Sequence, residues 1–214
     1  MTPTLLLKNA LVIATMDDEQ REIANGSVFI RGNRVEAVGP ASELPDTADK
    51  VIDMTGHVLI PGLINTHHHM FQSLTRALPA AQDAELFDWL TALFPVWQNI
   101  TPAMQRAATR TAMAELMLSG CTTAADHAYL YVNGTRLDDS VQAAQEMGMR
   151  FHAVRGAMSL GQSKGGLPPD ALVEQDEEAI LKEMQRVVEE LHDATPDAMI
   201  KVALGPCSPF TVTT

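Results

Sequence analysis

Gly62-Leu63-Ile64-Asn65-Thr66-His67-His68-His69-Met70 is the stretch on which the fold turns, because an apolar run that begins at Val58 stops there at three consecutive histidines. Read as a strand, residues 58–65 are apolar on both faces, as a parallel strand flanked by helices should be. Side chains alternate along a strand, so His67 and His69 are expected on one face and His68 on the other. Two imidazoles spaced i, i+2 at a strand end can grip one metal ion. Neutral imidazole suits zinc, iron or copper, and a catalytic site keeps one position open for water, so further ligands must come from elsewhere. The plain alternative is a purification tag or an adventitious histidine tract. Three histidines closing an internal apolar segment make a poor tag, and a core histidine satisfied by hydrogen bonds explains one of them, not all three.

Upstream of this stretch, residues 1–56 read as short strands over 5–14, 27–31, 34–38 and 51–53, with Gly32-Asn33 as a hairpin turn. The expected domain is a small N-terminal antiparallel β-sandwich. Downstream, over 57–214, strands alternate with helices, which is the signature of βα units around a parallel sheet. A short helix is expected over 83–94. Thr101-Pro102 opens the next helix as N-cap and first residue, and Gly120 closes it, with Met104, Ala107, Ala108, Ala114 and Leu118 as its buried face. Further strands are expected over 121–126, 149–158 and 198–204, and further helices over 138–147 and 169–192. The glycine-rich stretch 161–166 lacks the Lys-Ser/Thr pair of a phosphate cradle and reads as a mobile active-site loop. Four βα strands with polar residues at their C-terminal ends fit the first half of a (β/α)8 TIM barrel. A complete barrel needs about 250 residues, so the chain reads as the first half of a longer protein.

The chain has 214 residues, 46% of them hydrophobic, and a formal net charge of −12. That balance argues against nucleic-acid binding, which is driven by clustered Lys and Arg. Cys121 and Cys207 are the two cysteines and lie far apart, so no disulfide framework is indicated. No cationic leader and no apolar stretch long enough to span a membrane is visible, so the expected compartment is the cytoplasm, without a membrane partner.

Taken together, the N-terminal β unit and the run from Pro61 to His69 resemble the amidohydrolase superfamily, whose metal pair is an HxH motif at the first barrel strand. The continuation Met70-Phe71-Gln72-Ser73-Leu74-Thr75-Arg76, then Asp88-Trp89-Leu90, Gly120-Cys121-Thr122-Thr123 and Arg155-Gly156-Ala157-Met158-Ser159, resembles the branch of aminohydrolases and triazine hydrolases that act on nitrogen heterocycles. Where the superfamily often carries Asp two residues before the first histidine, this chain has Asn65, a departure common in this branch that leaves the expected ligand histidines unchanged.

The resemblance implies an enzyme that hydrolyses C–N bonds of cyclic amidines by metal-activated water, with one divalent metal, Zn2+ or Fe, held in part by His67 and His69. The expected reaction is deamination of a purine-like ring, 8-oxoguanine to urate and ammonia. The alternatives are a triazine or guanine aminohydrolase or dechlorinase, or an inactive half-barrel fragment. The proton-shuttling Glu, a ligating Asp and the remaining histidines are implied beyond Thr214, and a homo-oligomer is implied by likeness alone. Gln72 can donate and accept toward an oxopurine edge or stabilise its loop. Trp89 can stack on the ring or pack a helix. His127 can orient water or substrate, or be a satisfied barrel histidine. Arg155 must face a carboxylate or a substrate oxygen, because an unpaired buried guanidinium is costly. Cys207 can line the pocket, with no base at hand to make it a nucleophile. His68 is expected to pack or hydrogen-bond on the opposite face.

Overall fold

Pro61 and Gly62 interrupt the apolar run and divide it between two sheets. In a computed structural model of the chain, which describes residues 2–213, the backbone separates into units Met1–Gly62 and Leu63–Thr214. The expected single strand over 58–65 is instead β5 (Val58–Leu59) in the first unit and β6 (Leu63–Asn65) in the second. Proline lacks the N–H that a strand interior donates, so the ladder breaks where it stands. This also moves the unit boundary six residues past the expected 56/57, because β5 pairs with the first strand of the chain.

In the first unit β1 (Thr4–Ala14), β2 (Glu22–Arg31) and β3 (Arg34–Pro40) pair antiparallel, and the β2–β3 turn contains Gly32 at φ +60°. The expectation of a purely antiparallel sandwich fails in one respect. β4 (Lys50–Asp53) and β5 both join β1 in parallel, so the described residues form one five-stranded mixed sheet. A bulge between Leu7 and Ala10, with Asn9 at φ +64°, shifts the register of β1 against β2 by one residue. Ala10, Ile13 and Val28 form the small core of this unit.

The second unit is an α/β layer structure. Its four-stranded sheet runs β6, β7 (Cys121–Ala128), β8 (Arg150–Arg155), β9 (Ile200–Leu204) in chain order, every pair parallel. The crossovers carry α1 (Leu86–Trp97), α2 (Pro102–Leu118), α3 (Leu137–Met147) and α4 (Glu177–Leu191). Two expected termini hold: the Thr101 hydroxyl accepts the Met104 N–H, and Gly148 closes α3 at φ +71°. The other edges move. α1 begins three residues later than expected, and α4 begins only at Glu177, where Asp176 accepts the Ala179 N–H. In α2 the buried stripe is Gln105, Ala108, Thr109, Ala112 and Met113, whereas Met104 and Leu118 face solvent. Polar Gln105 and Thr109 can lie inside because both hydrogen-bond Ser140 of α3.

Alternation along β7 and β8 decides what faces what. Ala124 and Ala128 of β7 and Phe151 and Ala153 of β8 are buried against the helix layer in the main core with Met113, Leu137, Val141 and Val187. Asp126 and Arg155 fall on this same face by the period of two, and both are buried. His127 falls on the other face.

The glycine-rich segment after β8 is not the free loop expected from its composition. Gly166 donates to the Gly161 carbonyl, Gln162 to Pro168, and Ser159 and Leu160 both to Thr211. A Cβ at Gly166 would run into the Leu160 carbonyl oxygen. Residues 159–167 therefore form a closed, bonded coil that buttresses residues 207–213.

Candidate active site

β6 ends two residues before the histidines, so they stand past the strand, held by side-chain and backbone hydrogen bonds. The Asn65 side-chain oxygen accepts the His67 N–H at 3.2 Å, a local turn that short polar side chains favour. His69 caps a 3-10 segment, Met70–Thr75. The His67 and His69 rings lie 5.0 Å apart, centroid to centroid, and nearly perpendicular. The Nδ1 of His69 is 2.8 Å from the His127 carbonyl oxygen. A carbonyl only accepts, so Nδ1 carries the proton and Nε2 keeps its lone pair. Burial holds the His69 pKa below its ordinary value, which keeps the ring neutral at pH 7. The carbonyl of His68 accepts the His127 N–H at 2.9 Å. The His68 ring lines a cavity of about 540 Å3 whose wall also includes His67, His69, Gln72 and Trp89, and its Nδ1 is buried without a hydrogen-bond partner among the described residues.

A cavity of about 400 Å3 opens beside these rings, and His67, His69, Gln72, Trp89, His127 and Cys207 all line it. Four of the five expected substrate residues are thus brought together with both expected metal ligands. Gln72 donates to the Tyr129 hydroxyl at 3.1 Å. Trp89 meets Trp97 edge to face at 5.3 Å. His127 uses Nε2 to donate to the Gly205 carbonyl at 2.8 Å, so it is a satisfied histidine on the face of the sheet away from the main core, and its ring still borders the cavity. Burial pushes the Cys207 thiol up, so it is a neutral, weakly polar wall and no nucleophile.

Arg155 is the exception. Its guanidinium is 1% exposed, makes two hydrogen bonds to Glu174 at 2.9 and 2.7 Å, and lies over the Tyr131 ring with its carbon 3.7 Å from the centroid. It also donates to the Gly156 carbonyl. The substrate-binding expectation is corrected: Arg155 points into the helix layer and faces a carboxylate. Asp126 shares that orientation, and its Oδ1 accepts the Met70 N–H at 2.7 Å. Burial pushes its pKa up to about 7.

Tyr129, Met158, Phe210 and Thr211, none of them a site residue expected from the sequence, also line the cavity, together with Leu86, Leu90, Phe94 and Ser208. Tyr129 meets His69 at 5.1 Å and Phe71 at 5.2 Å, both edge to face. One signal pointed to it: position 129 is two residues past His127, the same strand facing continued.

Among the described residues no group of three or more His, Cys, Asp or Glu side chains could hold a metal ion. The donor chemistry fits a divalent ion nonetheless, since His69 is neutral and its Nε2 lone pair is left for coordination by the bond at Nδ1.

A parallel βα sheet with an HxH pair beside an aromatic pocket agrees with the family comparison: the Amidohydrolase family profile matches residues 58–214, and the chain belongs to that family. It is 44% identical over 209 residues to the 8-oxoguanine deaminase of Pseudomonas aeruginosa, covering 97% of this chain and 46% of that protein. It is 36% identical over 203 residues to the hydroxydechloroatrazine ethylaminohydrolase of Pseudomonas sp. (strain ADP), covering 87% of this chain and 42% of the relative. Among solved structures, atrazine chlorohydrolase from Arthrobacter aurescens TC1 complexed with zinc superposes with a TM-score of 0.88 at 28% identity, over 98% of this chain and 48% of that one. The chain spans about half the length of the curated relatives it matches. No helix among the described residues is long and apolar enough to cross a membrane.

Proposed function

We propose that this chain supplies the first four βα strands of a (β/α)8 barrel in a metal-dependent aminohydrolase, and that the intact enzyme deaminates a purine-like heterocycle, 8-oxoguanine to urate and ammonia. The observation that carries the reading is the pairing of His67 and His69 beside an aromatic pocket, with the Nε2 lone pair of His69 available. The 44% identity to an 8-oxoguanine deaminase supports the substrate.

His67 and His69 would hold one divalent ion, zinc by preference and iron as the second choice. Such an ion supplies Lewis acidity that brings the pKa of a bound water toward neutrality. The remaining work falls to the protein. Trp89 and Tyr129 line the cavity and would give a planar ring an aromatic surface to pack against. Gln72 keeps an amide oxygen to accept while its NH2 donates to Tyr129 and can turn to a ring carbonyl. Met158, Phe210 and Cys207 exclude water from the ring. In this reading the proton-transferring carboxylates and further ligands come from outside the described residues, among which no three-ligand cluster is found.

A second reading keeps the site and changes the leaving group. It draws on the triazine hydrolases among the solved neighbours. A cytoplasmic homo-oligomer completes the proposal, with Cys121 and Cys207 both free as in a reducing compartment. The test has two arms. Zinc titration of the 214-residue chain should show binding that H67A and H69A each weaken at least tenfold. The chain extended by its downstream coding sequence should release ammonia from 8-oxoguanine faster than from guanine, and chloride from chlorotriazines slowly or not at all. Chloride release as the faster reaction would favour the second reading.

A further inference from the structure

Asp126 is fully buried, and its single hydrogen bond among the described residues goes to the Met70 N–H, leaving Oδ2 without a partner. It packs on the helix-facing side of β7 between Ala124 and Ala128, both core residues. A lone carboxyl in such a place is costly, and an apolar side chain of similar size would serve packing better. What Asp126 does provide is an acceptor at one specific N–H.

That N–H lies next to a proposed metal ligand. Residues 126 and 127 make three successive contacts with residues 68–70. The His127 N–H donates to the His68 carbonyl at 2.9 Å, the His69 Nδ1–H donates to the His127 carbonyl at 2.8 Å, and the Met70 N–H donates to Asp126 Oδ1 at 2.7 Å. The backbone is therefore tied on both sides of His69, at φ −130° and ψ 83°. The His127 carbonyl belongs to a strand fixed by pairing with β8. Whether the His69 ring meets that carbonyl depends on where its own backbone is held. Without a fixed acceptor at Nδ1, a neutral imidazole in water favours the proton on Nε2, which blocks coordination there.

We propose that Asp126 is a positioning residue for His69: by accepting the Met70 N–H it sets the backbone at position 69 so that Nδ1–H reaches the His127 carbonyl and the Nε2 lone pair faces the pocket. The inference rests on the reading of His69 as a metal ligand. It assigns to Asp126 no contact with metal or substrate. Asn keeps the accepting oxygen and should substitute for it. Ala should not.

The test uses the 214-residue chain without metal, by nitrogen-15 long-range correlation of the imidazoles. His192 is an internal control, because its Nδ1 accepts the Val202 N–H at 3.0 Å and it must carry its proton on Nε2. The wild-type chain should show His69 protonated at Nδ1 and His192 at Nε2. D126A should move His69 to a mixture dominated by Nε2–H, speed Met70 amide exchange at least tenfold and leave His192 unchanged, while D126N should match the wild type. A His69 signal unchanged in D126A, or scrambled in D126N with His192 intact, would overturn the proposal. If D126A loses the His192 signal as well, the wild-type chain decides through the scalar coupling across the hydrogen bond between the Met70 nitrogen and the Asp126 carboxyl carbon. Its presence with a wild-type-like D126N supports the proposal, and its absence refutes it. A chain that passes this test yet binds no zinc would refute the metal reading alone.

Discussion

Arg155 and Glu174 meet through two parallel hydrogen bonds, 2.9 and 2.7 Å long, across nineteen residues of sequence. The pair joins the end of β8 to the approach to α4. Tyr131 stacks on the guanidinium, and the Glu174 N–H also donates to the Met158 carbonyl. Removing the carboxylate leaves a buried charge without its partner, which typically costs about 3–5 kcal/mol. E174A should lose stability of that order in urea denaturation, and R155K should lose less, because an ammonium keeps the charge but not the two-pronged geometry. A loss under about 1 kcal/mol for E174A would show the pair to be no better than an exposed one.

Gly166 has no room for a methyl group, since the Leu160 carbonyl oxygen occupies the space. Backbone cannot yield as a flexible side chain can. G166A should cost about 1–3 kcal/mol and open residues 159–167 to protease cleavage. Gly161→Ala meets mainly the Asp170 side chain and should be milder, because that carboxylate can rotate away. Limited proteolysis of both variants ranks them.

Burial raises the Cys207 thiol above its ordinary pKa. The sign follows directly: the folded chain holds the proton more tightly than the unfolded one, so the thiol's contribution to stability is present below the unfolded pKa and is lost as pH rises past it. Alkylation should accordingly be slower at pH 8 than that of an exposed thiol and should keep rising past the pH at which an ordinary thiol levels off. Rapid labelling of Cys207 at pH 7 would contradict this assignment and revive a nucleophilic role.

Ile64 on β6 and Leu204 on β9 are 68% and 49% exposed, on the two outer strands of a parallel sheet. Parallel sheets are normally covered, and unpaired strand edges template association. The 214-residue chain should self-associate with rising concentration in light scattering, and I64K with L204K should suppress this by roughly an order of magnitude in concentration. An unchanged monomer at high concentration for the parent chain would remove the argument.

Periodicity in the sequence is enough to read the βα alternation and the Thr101 and Gly148 helix ends, because caps and alternation are local; His67 and His69 do come together, but past the end of β6 and not by strand alternation. Periodicity fails where facing must be counted along a strand. Arg155 and Asp126 both sit at strand ends, yet parity with Phe151, Ala153, Ala124 and Ala128 turns them into the helix layer. The α2 stripe was misjudged for a related reason: Gln105 and Thr109 are polar by type but satisfied inside by Ser140 of another helix, a partner that no local pattern shows. The glycine-rich coil reads as mobile because part of what ties it down, the bonds to Phe210 and Thr211, lies far along the chain.

Trp89 borders the pocket and touches the fully buried Trp97, and these are the two tryptophans in the sequence. The indoles are close and steeply inclined, so their excited states couple, giving a far-ultraviolet exciton band whose amplitude depends on the Trp89 rotamer. A planar guest stacking beside Trp89 would alter that band and quench the emission. Occupancy of the cavity can thus be followed optically, with no label and no turnover.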